Sequence, residues 1–92
     1  MQLTKLAKGR PCMVRLPGIC SGDAAETVLA HVRLAGITGA GMKAPDVLAS
    51  WSCARCHEVT EREKRDNRIQ RYFLEGVIRT QNALIAEGVI HW

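Results

Sequence analysis

Aromatic residues are scarce in this 92-residue chain, at 4% (Trp51, Tyr72, Phe73 and Trp92), so its core must be built from Leu, Ile, Val and Ala. In so short a chain that core is thin and invites a staple. No apolar run approaches the roughly 18 residues of a membrane span. The N-terminal MQLTKLAKGRPC also lacks the apolar stretch of about 7–15 residues that a secretion signal needs. On these absences no membrane partner is expected, and a cytoplasmic location is. Internal repeats, low-complexity tracts and a linker rich in Pro, Gly and Ser are missing as well, so residues 1–92 are expected to form one domain. A two-domain enzyme is excluded by length. With 47% hydrophobic and 24% charged residues, the chain has an ordinary globular composition rather than that of a disordered one.

Acidic residues are absent from the first 20 positions, which carry Lys5, Lys8, Arg10 and Arg15. The formal charge of +4 is therefore concentrated in an N-terminal basic patch. Charge alone allows either a solubilising segment or a phosphate-binding surface.

Residues 12–20, CMVRLPGIC, read as a short strand, a Pro17-Gly18 turn and a return, which sets Cys12 opposite Cys20. TVLAHVR, 27–33, is β-branched and apolar, and reads as a strand with His31 near its end. The following GITGAGMKAPD is a loop; it lacks the Lys-Ser/Thr that a phosphate loop needs after its last glycine. From Asp46 the chain leads through Cys53 and Cys56 into a helix-competent run, with a break and restart allowed by the Thr60/Glu63 capping-box pattern. A long amphipathic helix is expected from an N-cap at Asp66, with Ile69, Phe73, Gly76, Val77, Thr80 and Leu84 as its core stripe and Gly88 as its stop.

The four cysteines are Cys12, Cys20, Cys53 and Cys56. Disulfides and a metal are both open on count alone, and a reducing compartment together with a Cys-x-x-Cys pair favours zinc. Four thiolates around one ion close its coordination, so such a zinc is structural and any hydrolytic centre lies elsewhere. The remaining candidates are His31, Asp46 and His57. Trp51 is expected to bury itself against the zinc knuckle, with base stacking as the alternative, and His91 has no partner in the pattern.

The order of these features, carried by RPCMVRLPGIC, VLAHVRLAG, GMKAPD, SCARCH and the later EGVIRTQ and EGVI, resembles the HNH or ββα-metal nucleases built on a treble-clef zinc scaffold. More closely, it resembles the prophage-encoded YbcO family of nucleases, related to the phage recombination nuclease Ref. The likeness spans essentially the whole chain. It implies a small α+β treble-clef domain with a β-hairpin, a ββα-metal-like core and a C-terminal amphipathic helix. It also implies a DNA endonuclease that uses a divalent metal, Mg²⁺ or Mn²⁺, beside the structural zinc, with a recombination protein as a candidate partner. In that scheme His31 is the general base and Asp46 orients it, while His57 holds the catalytic metal with Glu61 one helical turn on. Ala30 stands where many HNH sites carry a further ligand, so Glu61, Glu58 or Asp46 would have to complete the set. Should Cys20 fail to reach the zinc, His57 is the alternative ligand. DNA contacts are expected from Lys5, Lys8, Arg10 and Arg15, supported by Arg33, Lys43, Arg55 and Arg62. The competing readings are a non-cleaving zinc-stapled nucleic-acid-binding module and a zinc-stapled interaction domain.

Overall fold

The computed structural model describes residues 3–33 and 44–90; the glycine-rich loop with Lys43, and His91 with Trp92, lie outside them. The fold is small and α+β. Its elements in order are helix α1 (Leu3–Ala7), a 3₁₀ turn (Ala24–Glu26), strands β1 (Val28–His31) and β2 (Ala49–Ser52), helix α2 (Ala54–Arg62) and helix α3 (Asn67–Ala86). β1 and β2 pair antiparallel, with Leu29 opposite Trp51 and His31 opposite Ala49.

Local signals explain where the last two helices begin and end. Cys53 caps α2 through its sulfur, which accepts from the Cys56 amide. No break occurs at Thr60: α2 continues to Arg62, and its C-terminal carbonyls are covered from α3, where Gln70 Nε2 donates to the Thr60 and Glu63 oxygens at 3.1 and 3.0 Å. Asp66 Oδ1 accepts from the Arg68 and Ile69 amides, as an N-cap should. At the other end Gly88 takes φ +75°, and the chain turns back so that the Val89 amide reaches the Leu84 carbonyl.

α3 lies across β2, and the joint between them is built from small and polar groups. A Cβ on Gly76 would stand 2.5 Å from Ser50 Oγ and 3.1 Å from the Met13 backbone, so only glycine permits this approach. One turn on, Thr80 Oγ1 accepts from the Trp51 amide at 2.9 Å and donates to the Gly76 carbonyl at 2.8 Å. The core then divides in two. Leu3, Ala7, Leu29, Ala49, Trp51 and Leu84 pack on one side; Val14, Leu16 and Val59 pack around the cysteines on the other.

The structure departs from the sequence reading at three points. Residues 12–20 form no strand. Val14 and Leu16 are buried, as alternation suggested, but Arg15 takes φ +57° and the chain curls so that the Cys20 amide bonds to the Leu16 carbonyl. The curl wraps the thiols instead of offering a ladder. Second, β2 was not legible in ASWS, which has no β-branched residue; all four of its residues are buried, so tertiary burial and not propensity makes it a strand. The short α1 was likewise unforeseen, and Leu3 and Ala7 at i, i+4 seat it on the core. Third, Trp51 is buried, but among α1, β1 and α3 rather than against the cysteines. Arg10 lies over its ring at 4.9 Å while binding Glu87 through both guanidinium nitrogens.

Candidate functional site

The four cysteines converge. Each sulfur lies within 4.8 Å of the other three, with Cys12, Cys53 and Cys56 buried and Cys20 half-buried. The loop brings Cys12 and Cys20 to one end of α2, where Cys53 caps the helix and Cys56 occupies its first turn. Cys53 and Cys20 sulfurs are 3.9 Å apart, well beyond a disulfide bond. Tetrahedral zinc with bonds of about 2.3 Å would hold sulfurs roughly 3.8 Å apart, so this set fits the ion with a small contraction. The surroundings prepare the thiols unequally. Burial raises the Cys53 thiol, but donation from the Cys56 and Ser21 amides outweighs it and brings the group down to about 6. Burial pushes the Cys56 thiol up, against donation from the Leu16 amide, and it also raises Cys20. A second or third thiolate in this space is thus disfavoured without a cation to balance it.

The histidine lies at the end of β1. His31 ends the strand, and the turn entering β2 returns the chain beside it, with the Leu48 amide on the Pro45 carbonyl and the Val32 amide on the Leu48 carbonyl. That turn carries Asp46, whose Oδ1 lies 2.7 Å from His31 Nε2. The histidine side chain is only 16% exposed and the carboxylate 39%.

His31 lines a cleft of about 230 Å³ between β1, the end of α2 and α3. Glu61 and Arg33 share that cleft and are paired with each other at 3.0 Å. Lys64, Gln70 and Phe73 also line it, and sequence reading missed all three as site residues. Lys64 lies in the turn after α2, beyond the reach of a helical-face argument, so its place in the cleft had no local signal. His57 is on α2, and its Nδ1 is buried without a hydrogen-bond partner. It does not line the cleft with His31, and among the described residues the cysteines are the group of His, Cys, Asp and Glu side chains that gathers closely enough to hold a metal. The His57 and Glu61 pair therefore supplies an orphaned donor and a carboxylate at i, i+4, but no assembled ligand set.

The basic residues divide by what they already bind. Lys5, Lys8, Arg15 and Arg55 are exposed, with Arg15 Nε also donating to the Cys12 carbonyl at 3.3 Å. Arg10 is held by Glu87, Arg33 by Glu61, and Arg62 by Glu58 and Glu63. No helix among the described residues is long and apolar enough to cross a membrane.

Comparison with known proteins gives this geometry its context. The family model described as "Putative nuclease YbcO" matches residues 1–89. The chain belongs to the YbcO family. The YbcO proteins of Escherichia coli K12 and of Enterobacteria phage 82, both named as nucleases in that same form, are each 43% identical to it over 96% of this chain and 95% of theirs. A solved structure from Escherichia coli K-12, titled "Structure of a putative bacteriophage protein", superposes with a TM-score of 0.76 at 37% identity, covering 94% of this chain and 99% of that one. The fold of this chain is thus shared with that solved structure over nearly its whole length, and the phage in one relative's source and in the structure's title agrees with the prophage resemblance of the sequence.

Proposed function

We propose that this YbcO protein is an HNH-type endonuclease that hydrolyses DNA phosphodiester bonds, on a treble-clef scaffold stapled by zinc at Cys12, Cys20, Cys53 and Cys56. The observation that carries the reading is the His31–Asp46 pair at 2.7 Å at the edge of a cleft. Asp46 holds the Nε2–H of a neutral imidazole, which leaves Nδ1 as the lone pair that takes a proton from the attacking water. Its carboxylate also balances the imidazolium that forms.

Arg33 and Lys64 at the cleft supply positive charge for the phosphate. A bound divalent ion, Mg²⁺ or Mn²⁺, would neutralise the scissile phosphate and the leaving oxygen. His57 and Glu61 are the residues that would hold it, provided the His57 ring, whose Nδ1 is buried outside the cleft, turns toward it and Glu61 gives up Arg33. Release is chemically reasonable because a phosphate can take the guanidinium in place of the carboxylate. The zinc staple does no chemistry; it would tie the 12–20 loop to the start of α2, the helix whose end lines the cleft, and small misplacements of such groups are costly in rate. The setting we assign is recombination of phage or prophage DNA in the cytoplasm.

The test is incubation with single-stranded, duplex and branched DNA in Mg²⁺ or Mn²⁺, wild type against His31→Ala. Cutting by the wild type alone supports the mechanism. Binding without cutting of any form would favour the non-cleaving nucleic-acid-binding module, a reading that Ala30 and the engaged Glu61 support.

A further inference from the structure

We propose that the cleft beside His31 receives an unstacked nucleobase, so that the substrate is single-stranded or locally unpaired DNA; the inference rests on the nuclease reading above and names its substrate class. A phosphodiester is charged and polar, and needs no apolar wall. Yet the cleft is walled by Val32 from the end of β1 and by Phe73, Leu74 and Val77 from α3. Leu74 is 58% exposed there, an apolar surface left open beside polar groups. The cleft of about 230 Å³ is large enough for one planar ring system.

Phe73, which lines the cleft, also packs on the cluster formed by the cysteines, Val14, Leu16 and Val59, and that contact anchors its side chain in the wall. Two cations line the cleft, Lys64 and Arg33, and Arg33 is paired with Glu61 until a backbone phosphate takes the guanidinium in place of the carboxylate. Gln70 spends its amide hydrogens on the Thr60 and Glu63 carbonyls, which leaves its oxygen as an acceptor for a base amino group. An apolar, aromatic-backed pocket with a cationic rim is the pattern of single-strand binding, because a base within a duplex keeps its faces covered by its neighbours and must leave the stack to enter.

Leu74 and Ile78 provide a matched pair for the test. Both are on α3 and 58% exposed, but Ile78 does not line the cleft. Binding of a fluorescein-labelled single-stranded oligonucleotide and of its duplex is measured by anisotropy, with the full zinc-loaded chain and no added Mg²⁺ or Mn²⁺. Leu74→Glu is expected to weaken single-strand binding about tenfold, and Ile78→Glu, which adds the same charge, less than about twofold. Duplex binding should fall equally in the two variants. A 2-aminopurine placed in the single strand should change its fluorescence on binding to wild type and not to Leu74→Glu. Equal losses in the two variants, or wild-type preference for duplex, overturn the base pocket and leave the nuclease reading intact. Failure of the wild type to bind any DNA overturns both.

Discussion

His31 and Asp46 are 15 positions apart in sequence, and their side chains meet at 2.7 Å because the turn into β2 returns the chain to the end of β1. The contact joins a ring with two nitrogens to a carboxylate that can engage only one of them, so the other nitrogen is left for a proton. From this geometry the catalytic prediction follows.

His31→Ala should lower DNA cleavage by at least about 10²-fold, the lower end of what a general base contributes. DNA affinity and zinc content should stay unchanged, since the residue is neither a thiol ligand nor a fixed charge. Asp46→Ala should slow cleavage less, because the imidazole survives without its orienting partner. His57→Ala should raise the Mg²⁺ or Mn²⁺ concentration needed for half-maximal rate. Gel-based cleavage across a metal titration measures all three, and normal cutting by His31→Ala would sink the mechanism.

Purified protein should carry one zinc per chain, and Cys53→Ser or a strong chelator should abolish both zinc and cooperative unfolding, since metal binding energy is folding energy in small domains. The sign with pH follows from the thiols. Burial raises Cys56 and Cys20, so zinc must displace their protons, and zinc affinity should fall as pH is lowered. Elemental analysis and a competition titration at two pH values check this. Less than about half an equivalent of zinc, with oxidised cysteines, would favour disulfides instead.

DNA affinity should fall linearly with the logarithm of salt concentration. Removing a phosphate-contacting lysine, as in Lys5→Ala or Lys8→Ala, should reduce that slope by about one. Arg10→Ala should change it less, because both its terminal nitrogens already bind Glu87 and its Nε donates to the Leu6 carbonyl. A slope indifferent to the lysines would remove the N-terminal patch from the interface.

The α3–β2 joint should be intolerant of small changes. Thr80→Val strands the buried Trp51 amide, which should cost about 1–3 kcal/mol. Gly76→Ala forces a methyl against Ser50 Oγ and the Met13 backbone, with a similar cost of about 1–3 kcal/mol. Urea unfolding of each variant gives the numbers, and wild-type stability in either would contradict the packing described.

Much of the site could be read before the fold was known, because its signals are local. Cys-x-x-Cys at a helix start, the Asp66 cap, Gly88 as the stop and the stripe on α3 each depend on residues within a turn or two of one another, and each recurs in the structure. The β-branched run likewise formed β1. Other features depended on groups brought together from a distance. ASWS became a strand only because β1 and α3 bury it, and CMVRLPGIC curls because four sulfurs share one small space. Trp51 went to the core opposite the cysteines because α1, with no strong signal of its own, packs there. The Arg33–Glu61 pair and the cleft lined by Phe73 and Leu74 join three elements, so no window of sequence contains them. Propensity and capping act over a few residues and are written in order along the chain. Burial, ion pairing and cavity shape act between segments, and only the closed tertiary structure decides them.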